Sequence, residues 1–123
     1  MRVLIVDDSE ALVQRLTSRL TGVAGIEIVG HAGNALDATQ KIRTAKPDVV
    51  VLDIHMPGGS GIDVLNGLKK AQFKPVVIIL TNCSDKHYRK RCLANGARFF
   101  FDKSAEFDKV GEVLQTLMNT TAA

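Results

Sequence analysis

The chain has 123 residues, 16 Lys and Arg against 13 Asp and Glu for a formal net charge of +3, and 46% hydrophobic residues. That length predicts one compact unit of 1–123, and the near-average composition excludes disorder and a collagen-like chain. Cys83 and Cys92 are too few for a disulfide scaffold, and no apolar run approaches the roughly 20 residues of a bilayer span. The start MRVLIVDDSE turns acidic too soon for a signal peptide, so a cytoplasmic location without membrane insertion is expected.

Five short apolar runs are bounded by turn residues: Val3–Val6, Ile26–Val29, Val49–Leu52, Val76–Leu80 and Phe99–Phe101. Most are continuous, as strands buried on both faces require; the second alternates and belongs nearer an edge. Amphipathic stretches lie between them. Leu12, Leu16 and Leu20 mark a first helix, and Leu36, Thr39 and Ile42-Arg43 one face of a second. Val64, Leu65 and Leu68 mark a third, Tyr88 and Cys92-Leu93 a fourth, Val110, Val113-Leu114 and Leu117 a fifth. Gly22, Gly25, Gly33, Pro47, Gly58-Gly59, Pro75 and Gly96 fall in the gaps. The pattern is (βα)5, an α/β architecture with a doubly wound five-stranded parallel sheet and helices on both faces. Any site belongs at the carboxyl ends of the strands.

The residues directly after the strands carry the chemistry. The first strand ends in Asp7-Asp8, the third in Asp53, the fourth in Thr81 and the fifth in Asp102-Lys103. If the first and third strands are neighbours, Asp7, Asp8 and Asp53 crowd together, which like charges within about 4 to 6 Å disfavour. A divalent cation removes the repulsion, and hard oxygen ligands suit Mg2+ or Mn2+. Three carboxylates, one divalent ion and the Lys103 ammonium balance in charge. That set suits phosphoryl transfer, with one carboxylate available as nucleophile.

On Asp7-Asp8, the string Asp53-Ile54-His55-Met56-Pro57 with Gly61 eight residues after Asp53, Thr81 and Lys103, the sequence resembles the response-regulator receiver domains of two-component signalling. The resemblance covers essentially the whole chain. It implies a flavodoxin-like sheet of order 2-1-3-4-5 and a phosphorylation switch, with Asp53 accepting a phosphoryl group from a sensor histidine kinase or histidine phosphotransfer protein. It implies Mg2+ held by the side chains of Asp8 and Asp53, by the His55 backbone carbonyl and, through water, by Asp7. Lys103 would pair with a phosphoryl oxygen, Thr81 would move to hydrogen-bond it, and Phe100 matches the aromatic switch position. The output would be a downstream target protein, met on the fourth-helix, fifth-strand and fifth-helix surface. The domain would catalyse its own phosphorylation and dephosphorylation without being a dedicated metabolic enzyme.

Plainer readings compete at each position. Asp7-Asp8 could cap the helix starting near Ser9, Asp53 could be a strand-end cap, and Lys103 a solvated lysine. Thr after a strand is common. Phe99 and Phe101 read as core, with Phe100 facing the opposite way. His31 and His87 read as surface or loop residues, and both cysteines as free thiols. There are departures from the family as well. Ser104 stands where many receivers have Pro, so the common cis Lys-Pro bond is not expected, and Asn82 stands where Ala or Gly is frequent. His55 and Cys83 occupy positions that tune hydrolysis in the family, which implies an altered phosphoryl lifetime.

The first rival is the receiver module of a DNA-binding transcription regulator whose output domain is absent; Leu117–Ala123 reads as a frayed tail or the start of a linker. An aspartate phosphatase is disfavoured because Asp53-Ile54-His55 lacks a second aspartate. A flavodoxin-like electron carrier is disfavoured because no Thr/Ser-rich phosphate loop follows the first strand. Gly58-Gly59-Ser60-Gly61 is no dinucleotide fingerprint. The positive charge is concentrated: residues 86–103 carry six cations against Asp102 alone, while the remainder has ten Lys and Arg against twelve Asp and Glu. That region reads either as a solvated helix face or as a contact for an acidic partner. Direct nucleic-acid binding is not expected, and on the receiver resemblance these 123 residues are expected to be taken up by that one domain, with no room among them for an output domain.

Overall fold

A computed structural model of the chain describes residues 1–57, 59–82 and 86–121, the side chains of 120 and 121 excepted. Readings that fall on Gly58, Cys83 and residues 122–123 lie outside these. Five strands form one parallel sheet: β1 (Arg2–Val6), β2 (Glu27–Ala32), β3 (Val49–Leu52), β4 (Val76–Thr81) and β5 (Phe99–Asp102). Their spatial order is β2-β1-β3-β4-β5, with every pairing parallel. The helices are α1 (Glu10–Thr21), α2 (Ala35–Ala45), α3 (Gly61–Lys69), α4 (Lys86–Ala94) and α5 (Lys109–Thr121). A two-residue ribbon, His55–Met56 against Gly59–Ser60, joins β3 to α3.

Period-two side-chain alternation divides each strand between two cores. Val3, Ile5, Val51, Ile78 and Leu80 pack with Val13, Leu16 and Leu20 of α1 and Val110 and Leu114 of α5. Leu4, Val6, Val50, Leu52, Ile79 and Phe100 face Ala38 and Ile42 of α2, Val64 and Leu65 of α3 and Cys92 of α4. Each fully buried aliphatic side chain contributes about 1.5–3 kcal/mol. The central strands are apolar on both faces for this reason, and β2, with its mostly half-buried residues, occupies the edge that its alternation predicts.

Two local expectations change. In α2 the sheet-facing residues are Ala35, Ala38 and Ile42, and Leu36 is 69% exposed. Two alanines let the α2 backbone lie close to the sheet, which rotates the buried stripe away from the larger leucine. At the other end, α5 continues to Thr121, so the segment from Leu117 that reads as tail or linker is largely the last turn of a helix. Phe99 and Phe101 stack with ring centres 6.0 Å apart on the α1/α5 side, opposite Phe100. His31 is an exposed residue of β2 and His87 an exposed residue of α4.

The loops that leave the carboxyl edge are anchored by caps. Ser9 caps α1 by accepting the Leu12 N–H, and Asn34 caps α2 by accepting the Asp37 N–H. Ser60 and Asp63 form a reciprocal capping box at α3. Each such cap is worth about 1 kcal/mol and fixes where a strand-to-helix loop ends. Among the described residues no helix is long and apolar enough to cross a membrane.

Candidate functional site

One further backbone bond beyond each strand positions the next residue. The Asp7 N–H donates to the Ala32 carbonyl at 2.9 Å, the Asp53 N–H to the Val6 carbonyl at 2.9 Å, and the Lys103 N–H to the Thr81 carbonyl at 3.0 Å. Because β1 lies between β2 and β3, Asp7 and Asp53 come from adjacent strands; Thr81 and Lys103 come from the pair beside them. Ligating oxygens of Asp7, Asp8 and Asp53 lie within 4.8 Å of one another. Asp7, Asp53 and Thr81 are buried, and Asp8 is exposed at the mouth.

Lys103 reaches into this cluster. Its Nζ lies 2.7 Å from Asp7 Oδ2 and 3.2 Å from Asp53 Oδ2, with the lysine side chain 13% exposed. The contact to Asp7 is a close ion pair rather than an aligned hydrogen bond. The other Asp7 oxygen accepts the Ser9 N–H at 2.8 Å. Ser9 is therefore the helix cap, and Asp7 steadies the cap residue while serving the cluster. Burial holds the Asp7 carboxyl above its ordinary value, with the Asp53 charge adding to the effect and Lys103 and the Ser9 N–H opposing it. For Lys103 burial acts to lower the pKa, but Asp7 and Asp53 together outweigh it and raise the ammonium above its ordinary value. Lys103 is thus a fixed charge.

The loop from Asp53 to α3 returns directly beneath Asp53. The Gly61 N–H donates to the Ile54 carbonyl at 2.8 Å. A Cβ on Gly61 would stand 2.2 Å from the Asp53 carbonyl oxygen and 3.1 Å from Ile54 Cα. Only glycine permits that approach. The sequence pattern includes Gly61, but its reason is this backbone contact.

His55 is exposed, on the ribbon leaving Asp53, and lines an open cleft of about 310 Å³ with Asp8, Met56 and Ser60. Its ring meets Tyr88 of α4 edge-on, centroids 5.6 Å apart. Phe100 is set back from the acidic cluster. It pairs in register with Ile79, two residues before Thr81 on the same face, and is 6% exposed. The Arg89 guanidinium stands 5.9 Å from the Phe100 ring centre and donates to the Phe100 carbonyl at 3.5 Å. Nothing in the sequence beyond a basic run points to Arg89.

The loop carrying Lys103 is held by Asp102, which the sequence marks only as a strand-end residue, and by Glu106, which it does not single out. Asp102 Oδ1 accepts the Ser104 and Ala105 N–H groups at 2.7 and 3.0 Å, and Glu106 Oε1 accepts the Asp102 N–H at 3.2 Å. The Lys103–Ser104 peptide bond is trans. Asn82 is exposed beside Thr81.

An apolar cleft of about 370 Å³ between α2 and α3 lies away from these groups and contains no carboxylate. The acidic edge is therefore the candidate chemical site. Hard oxygen donors with a net charge of about −2 after Lys103 is counted suit a small divalent cation, which prefers carboxylates plus water. With both Asp7 oxygens engaged, Asp8 and Asp53 are the better placed ligands.

The family model for the response regulator receiver domain matches residues 3–115. The DNA-binding transcriptional activator EvgA of Escherichia coli K12 is 30% identical over 119 residues, 97% of this chain and 58% of its own length. The chain thus spans a little over half of that relative. Among solved structures, the response regulator domain of Thermotoga maritima CheB superposes with a TM-score of 0.85 at 30% identity, covering 100% of this chain and 97% of that one. The CheX-CheY-BeF3-Mg2+ complex of Borrelia burgdorferi gives a TM-score of 0.84 at 32% identity over 98% of this chain and 89% of the matched chain.

Proposed function

The chain belongs to the response-regulator receiver family of two-component systems, and from that premise we propose that it is a phosphorylation switch with Asp53 as phosphoacceptor. The observation that carries this reading is the buried Asp53 carboxylate with the Lys103 ammonium 3.2 Å from its Oδ2 and two more carboxylates beside it. Asp8 and Asp53 would hold Mg2+ by their side chains, with His55 contributing its backbone carbonyl. Mn2+ fits the same donors. When bound, the metal neutralises the carboxylates and the incoming phosphoryl oxygens.

In the reaction the Asp53 carboxylate attacks the phosphorus of a phosphohistidine on a sensor histidine kinase or histidine phosphotransfer protein. An O–P bond forms as the P–N bond breaks, and the imidazole leaves with that electron pair and takes up a proton from solvent. Lys103, pinned by its backbone bond to Thr81, is in reach of an oxygen added to Asp53 and stabilises charge there. Thr81, buried at the end of β4, supplies a hydroxyl. The product adds about 1.5 to 2 negative charges. Recruitment of Thr81 would free space for Phe100 on the neighbouring strand, altering the α4-β5-α5 surface that meets a target protein. A cytoplasmic site of action belongs to the same proposal.

A second reading, the receiver of a DNA-binding regulator, is favoured by the EvgA match and the partial span of that relative. It shares the same switch and differs in output. Incubating the protein with Mg2+ and a small phosphodonor tests both: one phosphoryl group is expected by mass, absent in Asp53→Asn. Unmodified wild-type protein with intact metal binding would sink the proposal.

A further inference from the structure

The C-terminal halves of α2 and α3 enclose a cleft of about 370 Å³ near the amino edge of the sheet, where Lys46 and Pro75 lead into β3 and β4. Ile42 and Val64, both buried, and the half-buried Leu68 give it an apolar wall, and Phe73 stands at its rim, 36% exposed. Arg43 and Lys46 also line it, both exposed and neither in an ion pair among the described residues. No Asp or Glu occurs in residues 38–47 or 64–76, the two segments that build the cleft, while Lys69, Lys70 and Lys74 add to the positive charge around it. A helix C-terminus disfavours an anion, but only with about half a charge. That end of α2 is already met by Arg2, whose guanidinium donates to the Ala45 and Lys46 carbonyls.

Two local choices keep the cleft open and charged. Gly67 lies inside α3, where only proline is a poorer residue, yet an added Cβ would meet nothing within 4 Å. Packing therefore does not require the glycine, and a larger side chain there would occupy the cleft. Lys46 ends α2 in the left-handed region at φ 47, where glycine is usual. Residues that break a local rule without a packing reason are expected at functional sites. We infer that the α2–α3 cleft binds one small amphipathic carboxylate, its alkyl or aryl body against Ile42, Val64 and Leu68 and its carboxylate between Arg43 and Lys46. The volume suits a small molecule, for which clefts run from about 300 Å³ upward. A bilayer needs apolar side chains that protrude, and here those other than Phe73 are recessed between the helices. The cleft shares no residue with the acidic edge, so the inference does not rest on the switch reading.

The test titrates the whole chain, amide by amide in NMR spectra, with octanoate and with octylammonium of equal chain length, both below their micellar concentrations. Octanoate should bind saturably and at least about tenfold more tightly than octylammonium, shift residues 39–46 and 64–73, and lose affinity at high salt. Acetate, which has the charge without the chain, should bind at least about tenfold more weakly than octanoate. Gly67→Leu should fill the cleft and cut octanoate affinity at least about tenfold with the fold retained in the same spectra. Arg43→Gln with Lys46→Gln should abolish the preference over octylammonium. Equal binding of octanoate and octylammonium, shifts elsewhere, or octanoate affinity unchanged in a folded Gly67→Leu protein would overturn the site. So would sedimentation with phosphatidylglycerol vesicles that Gly67→Leu leaves unchanged, which assigns the cations to a membrane surface. The wild-type comparisons decide the matter even where Gly67→Leu fails to fold.

Discussion

Gly61 is packed so closely under Asp53 that a single methyl group would sit 2.2 Å from the Asp53 carbonyl oxygen. Backbone cannot swing aside as a flexible side chain does, so Gly61→Ala must push either α3 or Asp53 out of place. The expected cost is about 1–3 kcal/mol, together with slower phosphorylation of Asp53. Gly67, in the same helix, has nothing within 4 Å of its added Cβ. Gly67→Ala should therefore stabilise by up to about 1 kcal/mol through helix propensity. Urea unfolding of both variants measures the contrast; a Gly61→Ala protein as stable as wild type would refute the packing argument.

Crowded carboxylates make metal binding a stability term. The wild-type melting temperature should rise with Mg2+, reaching about 2.7 kcal/mol of stabilisation at a hundredfold excess over the dissociation constant. Asp53→Asn and Asp8→Asn should each blunt that response. Chelator-treated protein, melted across a Mg2+ series, reads it directly.

Removing Lys103 leaves Asp7 buried beside Asp53 with no ammonium. Lys103→Met should destabilise the metal-free protein by about 3 kcal/mol, since breaking a buried pair strands the remaining charge. Adding Asp7→Asn should recover part of the loss. A double-mutant cycle showing less than about 0.5 kcal/mol of coupling would contradict the contact.

The loop behind Lys103 should show its own pH signature. The Asp102 N–H, and then Lys109, hold the Glu106 carboxyl below its ordinary 4.5. A carboxylate with a depressed folded pKa stabilises above its unfolded value, and that stabilisation is lost as pH falls through the folded one. The deficit of Glu106→Gln relative to wild type should therefore be present at neutral pH and shrink as pH drops below 4.5. Urea midpoints at the two conditions check this, and a deficit independent of pH would assign it to shape rather than charge.

The run Val49–Leu52 is apolar at every position, and a strand buried on both faces accepts nothing else, so its central place is readable from composition alone. Asp7, Asp8, Asp53 and Lys103 are readable for a related reason: residues directly after parallel strands share one edge whatever the loops do. By contrast, Leu36 points to solvent because neighbouring alanines allow a closer helix approach, a property of the packed pair and not of the helix period. The basic run of residues 86–103 is likewise divided only in three dimensions. Lys103 turns inward to the carboxylates, while Lys86, Arg89 and Lys90 remain outside. Periodicity and strand-end position are local, so the sequence alone determined the layers and which charged groups share the carboxyl edge of the sheet. Register, backbone approach and the direction of a long side chain depend on atoms far apart in the chain. Tertiary structure alone therefore decided that Gly61 must support Asp53, that Glu106 braces the Lys103 loop, and that Arg89 covers Phe100.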